Sequence, residues 1–422
     1  MCKLSGVPQG SRLRVLVAGG GVAGLEALLA LRDLAGDRVE STLLEPEAEF
    51  VFRPSAIAET FGRGRGQRIP MARVASHVGA QLVHGRLTGI DDERGVALID
   101  DGEPLSYDAI LVAIGAVSEP AYRRAITWTP ESDPEIFGGL RRDLEEGYAK
   151  SVAFVVPPGV AWPLPAYELA LMTAWDADSM GQDDVRVSVV THEQAPLEVF
   201  GVGGSAAVRA DLDEARVEVE TNAYVTERDD PAGFVLEPGE RPLEARRVVA
   251  LPRAVGPALE GLAADSRGFI RVDRHGRVAG ARRAWAAGDA TVFPVKQGGL
   301  AAQEADAAAE SIAGLAGAEI EPRPFRPVLR GMLLTGRGRE WLRAQIAGGG
   351  GDAEAERHAL WWPPTKVAGR YLAPYLQEIA EAQETGRAAA PSGQPVELDL
   401  ERELPAAADA LRETSRSGDR PT

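Results

Sequence analysis

The chain has 422 residues, 45% hydrophobic and 26% charged, with a formal net charge of −17. Its length leaves room for about three domains and a sizeable buried core, while the negative field repels phosphate backbones and argues against a nucleic-acid partner. Cys2 is the one cysteine, so no internal disulfide, redox cysteine pair or cysteine-ligated metal is expected. His77, His84, His192, His275 and His358 show no ligand spacing, which speaks against a metal site.

Residues 14–45 organise the rest. A short apolar strand (Val15, Leu16, Val17) runs into Gly19, Gly21 and Gly24 in the order G-x-G-x-x-G. A helix-forming run over 25–34, a second apolar run over 41–44 and an acidic residue, Glu45, follow. This order predicts a βαβ unit gripping an adenine dinucleotide. Gly19 allows the tight turn, Gly21 lets the backbone approach a pyrophosphate, and Gly24 lets helix and strand pack closely. Val22 and Ala23 open the helix whose N–H groups receive the pyrophosphate, and Glu45 is placed to accept a hydrogen bond from a ribose hydroxyl. Three consecutive glycines and Glu26 interrupt the apolar stretch, so it is neither a signal peptide nor a membrane span. A cytoplasmic protein, with at most peripheral membrane contact, is expected.

Further along, Phe50, Phe52, Arg53 and Pro54 precede alternating glycines and arginines at 62–66. This is either a surface loop or a segment laid along the cofactor, with Arg53 near its phosphates or ring. A short helix is expected over 72–80. A run of strands follows, from Ala80 to the continuously apolar 109–114, a buried parallel type of strand; Val83, Ala113 and Gly115 are candidate cofactor contacts. A helical pattern over 133–148, a buried strand from 151, a helix over 165–175 and further alternating segments make a second α/β unit over 151–251, inserted into the first (11–150 and 252–320). The returning part carries Gly288-Asp289 after a strand around Trp285, and Gly298-Gly299 before an alanine-rich helix over 300–315. Residues 321–385 read as a small C-terminal module, and 386–422, rich in Pro, Ala, Ser and charge, as a mobile tail. The fold class expected is α/β: two Rossmann-like dinucleotide-binding domains plus a small α+β module.

Four pieces, Gly19-x-Gly21-x-x-Gly24 with Glu45, YDAILVAIGA, AWAAGDA and the late glycine pair, resemble the FAD-dependent pyridine nucleotide–disulfide oxidoreductase superfamily, whose members have two dinucleotide-binding domains. The resemblance implies non-covalent FAD. It brings Gly288 and Asp289 to the ribityl chain and pyrophosphate, and points the late helix, with Lys296, Gln297, Gly298 and Leu300, at the flavin pyrimidine. FPVKQGGLA and the turn at Arg53 look most like the sulfide:quinone oxidoreductase branch. The departure is that Trp162 or Pro163 stands in PPGVAWPLP where that branch needs a thiol. Tyr167-Glu168-Leu169-Ala170 is similar to the V-E-L-A of type II NADH dehydrogenases. Of the glycines that should precede it only Gly159 remains, among prolines that donate no N–H. The usual NAD(P)H cradle is therefore missing, and a nicotinamide donor stays open only in another binding mode.

Three residues near the flavin are candidates for chemistry. Trp162 either shapes the substrate pocket, with Glu168 behind it, or anchors the core. Lys296 either stabilises reduced flavin by its charge or is a solvated surface lysine. The aromatic residues Trp361, Trp362, Tyr371 and Tyr375 form core, a homodimer interface or a membrane-facing surface. The expected function is an FAD-dependent oxidoreductase passing electrons from an unidentified donor to a quinone or other acceptor. Its rivals are an NAD(P)H dehydrogenase and an FAD-binding protein with a structural or sensing role.

Overall fold

The structure, a computed structural model, describes residues 12–64, 66–131, 134–230, 233–345 and 353–385. Cys2 and the tail read over 386–422 lie outside these.

Strand β1 (Leu13–Ala18) is buried at every position but Arg14, as an apolar run must be when both faces of its sheet are covered. It pairs in parallel with β2 (Val39–Leu44), Leu13 opposite Val39 through Ala18 opposite Leu44, and helix α1 (Val22–Ala35) makes the crossover. Strand β3 (Gln81–Val83) adds beyond β2, and β4 (Ala109–Val112) lies on the other side of β1. The chain then builds a second parallel sheet from β5 (Ile126–Thr127), β6 (Ser151–Val156), β7 (Arg186–Thr191), β8 (Glu218–Glu220) and β9 (Arg247–Ala250), in the order β5-β9-β6-β7-β8. Helix α2 (Leu164–Ser179) links β6 to β7, and α3 (Gly201–Glu214) links β7 to β8. The second sheet thus takes in residues 126–127, ahead of the boundary expected at 151. The two connectors between the units, Val117–Glu119 and Arg253–Val255, pair with each other antiparallel. Strand β10 (Ala284–Ala286) closes the first sheet as β10-β4-β1-β2-β3, and α4 (Gly298–Leu315) packs along α1. Helix α4 begins two residues before the expected start because the Gln297 side chain caps it, accepting the Leu300 N–H at 2.9 Å.

The C-terminal module is an antiparallel sheet, β11 (Val328–Leu334), β12 (Arg339–Gln345) and β13 (Glu354–Glu356), followed by α5 (Leu372–Thr385). The free edge of β11 is taken up by helix side chains. Gln303 both accepts from the Val328 N–H and donates to its carbonyl, each at 2.9 Å; Gln297 donates to the Arg330 carbonyl at 3.1 Å; Glu168 accepts the Leu334 N–H at 2.8 Å. Such cover keeps an open edge from pairing with another chain.

Helix α5 decides among the readings of the C-terminal aromatic residues. Tyr371, Leu372, Tyr375, Leu376 and Ile379 are buried in the same core as α1 and α4, and Trp361 is buried edge-on to Trp341. Only Trp362, 48% exposed, is left outward, so the patch is core and offers neither a homodimer face nor a membrane surface. The reason lies at Glu26 of α1. Fully buried, its carboxylate accepts the Tyr371 and Leu372 N–H groups at 2.8 and 2.7 Å and so fixes the start of α5 against α1. No helix among the described residues is long and apolar enough to cross a membrane.

A Cβ on Gly24 would fall 1.8 Å from the Gly19 carbonyl oxygen. Gly24→Ala is therefore expected to cost about 1–3 kcal/mol by overpacking, read as a lower denaturant midpoint. An unchanged midpoint would mean that the loop and helix can separate freely.

Candidate functional site

The C-terminal ends of parallel strands, where the order reverses, are the usual place for a ligand crevice. Here such a crevice opens between β1 and β4. It is a cavity of about 1260 Å³ that runs from Gly19, Gly21 and Glu45, past Asp289 and Gly298, to Trp162, Glu168 and Lys366. Drug-sized pockets measure roughly 300–1,000 Å³, so the cavity has room for a dinucleotide.

The glycines have backbone geometries that leave room along the cavity wall. Gly19 has φ +105°, and a Cβ there would sit 2.4 Å from the Ala113 carbonyl oxygen. At Gly21 a Cβ would meet nothing within 4 Å, which leaves its backbone bare to the cavity. Gly288, at φ +76°, is held between Ala23 and Ala301, whose Cβ atoms lie 3.0 and 3.3 Å from where its own would be. The starts of α1 and α4 thus converge on the turn that carries Asp289. Glu45 lines the cavity while its carboxylate orders the glycine loop, accepting the Gly20 N–H and, at 3.0 Å, the Glu47 N–H.

Glu304 on α4, which the sequence reading missed, holds the Asp289 turn from beneath. Its carboxylate accepts the Gly288 N–H at 2.7 Å and the Thr291 hydroxyl at 3.1 Å. Burial pushes its carboxyl up to about 7, against the pull of those hydrogen bonds. The Asp289 carboxyl is also raised by burial, with Lys296 and Arg53 pulling the other way.

Val22, Ala23, Pro54, Ala113, Gly115, Gln297 and Gly298 all line the cavity. Arg53 lines it too, but its guanidinium is paired with Glu131 at 2.8 Å, across the mouth between the two units. Two expected contacts fall elsewhere. Val83 is not in the cavity wall; its carbonyl accepts the Glu45 N–H at 3.0 Å and so supports that acid from behind. Leu300 is buried among core residues of the second unit, and its N–H is spent on the Gln297 cap. Lys296 is neither surface-solvated nor free to reach across the cavity. Its ammonium donates to the Thr291 carbonyl and, at 2.6 Å, to the Phe293 carbonyl, and lies 4.2 Å from the Phe269 ring centroid. Burial lowers its pKa, with Asp289 and Glu304 opposing.

From the second unit, the 157–165 loop reaches the same cavity, and its Ala161 carbonyl accepts the Lys296 N–H at 3.2 Å. Trp162 both lines the cavity and packs edge-on to Phe200, with centroids 5.9 Å apart. Glu168, at the far end, is paired with Lys366 at 2.5 Å; their side chains are 1% and 11% exposed. Burial raises the Glu168 carboxyl and Lys366 pulls it back. Lys366 stands 198 positions from its partner, in WWPPTK, where nothing local marks it out. Glu193 follows β7 as Glu45 follows β2, but its carboxylate is buried and already accepts from the Tyr167 hydroxyl at 2.6 Å and the Thr191 hydroxyl at 2.8 Å.

Two parallel-sheet units, the second inserted into the first, with a cavity at their junction, give the chain the fold of several solved oxidoreductase and reductase structures. Among solved structures, the sulfide:quinone oxidoreductase from Aquifex aeolicus superposes with a TM-score of 0.74 at 19% identity, over 90% of this chain and 93% of that one. An NAD-dependent persulfide reductase from A. fulgidus gives 0.57 at 20% identity, over 79% and 64%. A ferredoxin reductase from Rhodopseudomonas palustris gives 0.58 at 20% identity, over 79% and 83%. In sequence the chain is similar to a sulfide-quinone reductase of Aquifex aeolicus, 28% identical over 204 residues, 46% of each protein, so the match spans less than half of that relative. No family model matches.

The raised Glu304 carboxyl has a pH signature. A carboxyl whose folded pKa is lifted from 4.5 to about 7 favours the folded state while protonated. Its contribution is full below pH 4.5 and is lost as pH rises to about 7. Denaturation of wild type and Glu304→Gln across this range should show the wild type losing stability relative to the variant. Parallel curves would place the Glu304 pKa in the ordinary range.

Proposed function

We propose that this protein is an oxidoreductase that binds FAD non-covalently in the cavity and delivers electron pairs to a quinone or other acceptor. The observation that carries the reading is one continuous cavity, with two helix N-termini and Asp289 along its wall and a buried ion pair, Glu168–Lys366, at its end. Likeness to a sulfide-quinone reductase supports a quinone acceptor. When bound, FAD supplies the two-electron chemistry.

The protein's part is binding, orientation and proton supply. Backbone N–H groups at the start of α1, bare at Gly21, fit a pyrophosphate. Glu45 and Asp289 are acceptors for sugar and ribityl hydroxyls. The start of α4, at Gly298, turns its positive end toward the cavity and favours negative charge there. Lys366 Nζ holds a proton beside Glu168, in a wall from which water is largely excluded. Lys366 Nζ can hand its proton to an acceptor oxygen, and the Glu168 carboxylate, whose burial favours the protonated form, can take up a proton in turn so that no lone charge is left in the wall. The donor is proposed to work without a cysteine relay, since the sequence has only Cys2. Pro157, Pro158, Pro163 and Pro165, which leave only Gly159 where glycines would cradle a pyrophosphate, support a donor other than a nicotinamide nucleotide seated in the usual manner on the second unit.

Purified protein should take up one FAD per chain, seen as flavin absorbance after gel filtration; a colourless protein that takes up none would sink the proposal. Gly21→Asp should abolish uptake by setting a carboxylate against the pyrophosphate. Lys366→Met should keep its flavin but lose roughly 10²-fold or more in the rate of quinone reduction. Full turnover in that variant would remove the ion pair from the proton path.

A further inference from the structure

Arg330 on β11 is 5% exposed, and its Nη1 is buried without a hydrogen-bond partner. Across the β11–β12 ladder it stands opposite Arg343, which stands opposite Glu354 on β13. The row therefore holds two guanidinium groups and one carboxylate. Arg343 reaches Glu354 at 3.4 Å, at the surface, with side chains 25% and 44% exposed. Among the described residues no carboxylate pairs with Arg330. Burial and the neighbouring Arg343 push its pKa down to about 10, which still leaves it charged at neutral pH.

A buried charge is normally paired, and leaving one unpaired is strongly unfavourable. Like charges directly opposite on antiparallel strands add to that. Lysine could escape by losing its proton; arginine cannot. Guanidinium groups on two residues that are cross-strand partners present planar sets of donors that match a carboxylate or phosphate. We propose that Arg330 and Arg343 form an oxyanion-binding site on the C-terminal sheet, outside the dinucleotide cavity, which neither residue lines.

Entry runs through Arg343. Its pair with Glu354 is long and partly solvated, the kind of contact that contributes little, so Arg343 can exchange that carboxylate for an incoming anion. The anion then bridges Arg343 to Arg330 Nη1 and supplies the missing partner. The site also touches the cofactor machinery, because the Arg330 carbonyl accepts from Gln297, the residue that caps α4.

The test is thermal unfolding of the full chain with FAD in excess, titrated with inorganic phosphate or acetate against potassium chloride at matched ionic strength. Wild type should show a saturable rise in Tm with phosphate, with acetate or with both; a response to one alone identifies which oxyanion the site takes. Arg330→Met should show no saturable rise, and Arg343→Met should move the midpoint to about tenfold higher concentration. Should Arg330→Met not fold, the Arg343→Met midpoint decides. Absence of a saturable rise in wild type overturns the proposal. So does an equal rise in the arginine variants, which would report a general salt effect or the dinucleotide cradle.

Discussion

Everything in this molecule depends on how closely two helix starts approach one turn. Gly288 is wedged between Ala23 of α1 and Ala301 of α4, with Cβ distances that admit no side chain. That contact sets the angle between α1 and α4, and their packing in turn builds the core into which α5 docks. Because both helices point their N-termini at the same space, their partial positive charges add there, and an anionic ligand is favoured before any side chain is considered. The carboxylates of Glu45 and Glu304 around this positive region order the loop and the turn that face it. Glu45 binds Gly20, Glu304 binds Gly288, and Asp289 is left directed at the cavity.

The first unit was legible in the sequence because its constraints are local. A tight turn, a bare backbone and a close helix crossing each demand glycine at a fixed offset, and all three occur within six residues of one another. Asp289 and the α4 start were legible for the same reason, as short motifs at strand-to-helix junctions. What could not be read is long-range. Lys366 finds Glu168 across 198 positions, and Glu304 lies nearly two turns into a helix whose alanine-rich pattern advertises only packing. Leu300 shows the opposite failure: it sits at the expected place in the motif, but the helix begins two residues sooner, so its side chain turns into the core. The aromatic run near the C-terminus misled because aromatic residues at helical spacing look alike whether they face a partner, a membrane or the chain's own core.

The second unit keeps the sheet of the first and discards its ligand cradle. Where the first has Gly21 and Gly24, the second has Pro157, Pro163 and Pro165; where Glu45 faces a cavity, Glu193 is bound up with Tyr167. The 157–165 loop supplies Trp162 and the Ala161 carbonyl to the neighbouring cavity.

The free edge of β11 is sealed by three side chains from two different units: Gln297 and Gln303 from the first, Glu168 from the second. In effect the C-terminal strand is a splint. A rotation of one unit relative to the other, of the kind that opens and closes many two-domain proteins, would have to pull either Glu168 or the glutamine pair off the same strand and leave buried peptide groups without partners. These hydrogen bonds tie both units to one strand, so a ligand of the cavity would be sorted by the shape of the opening rather than by closure around it.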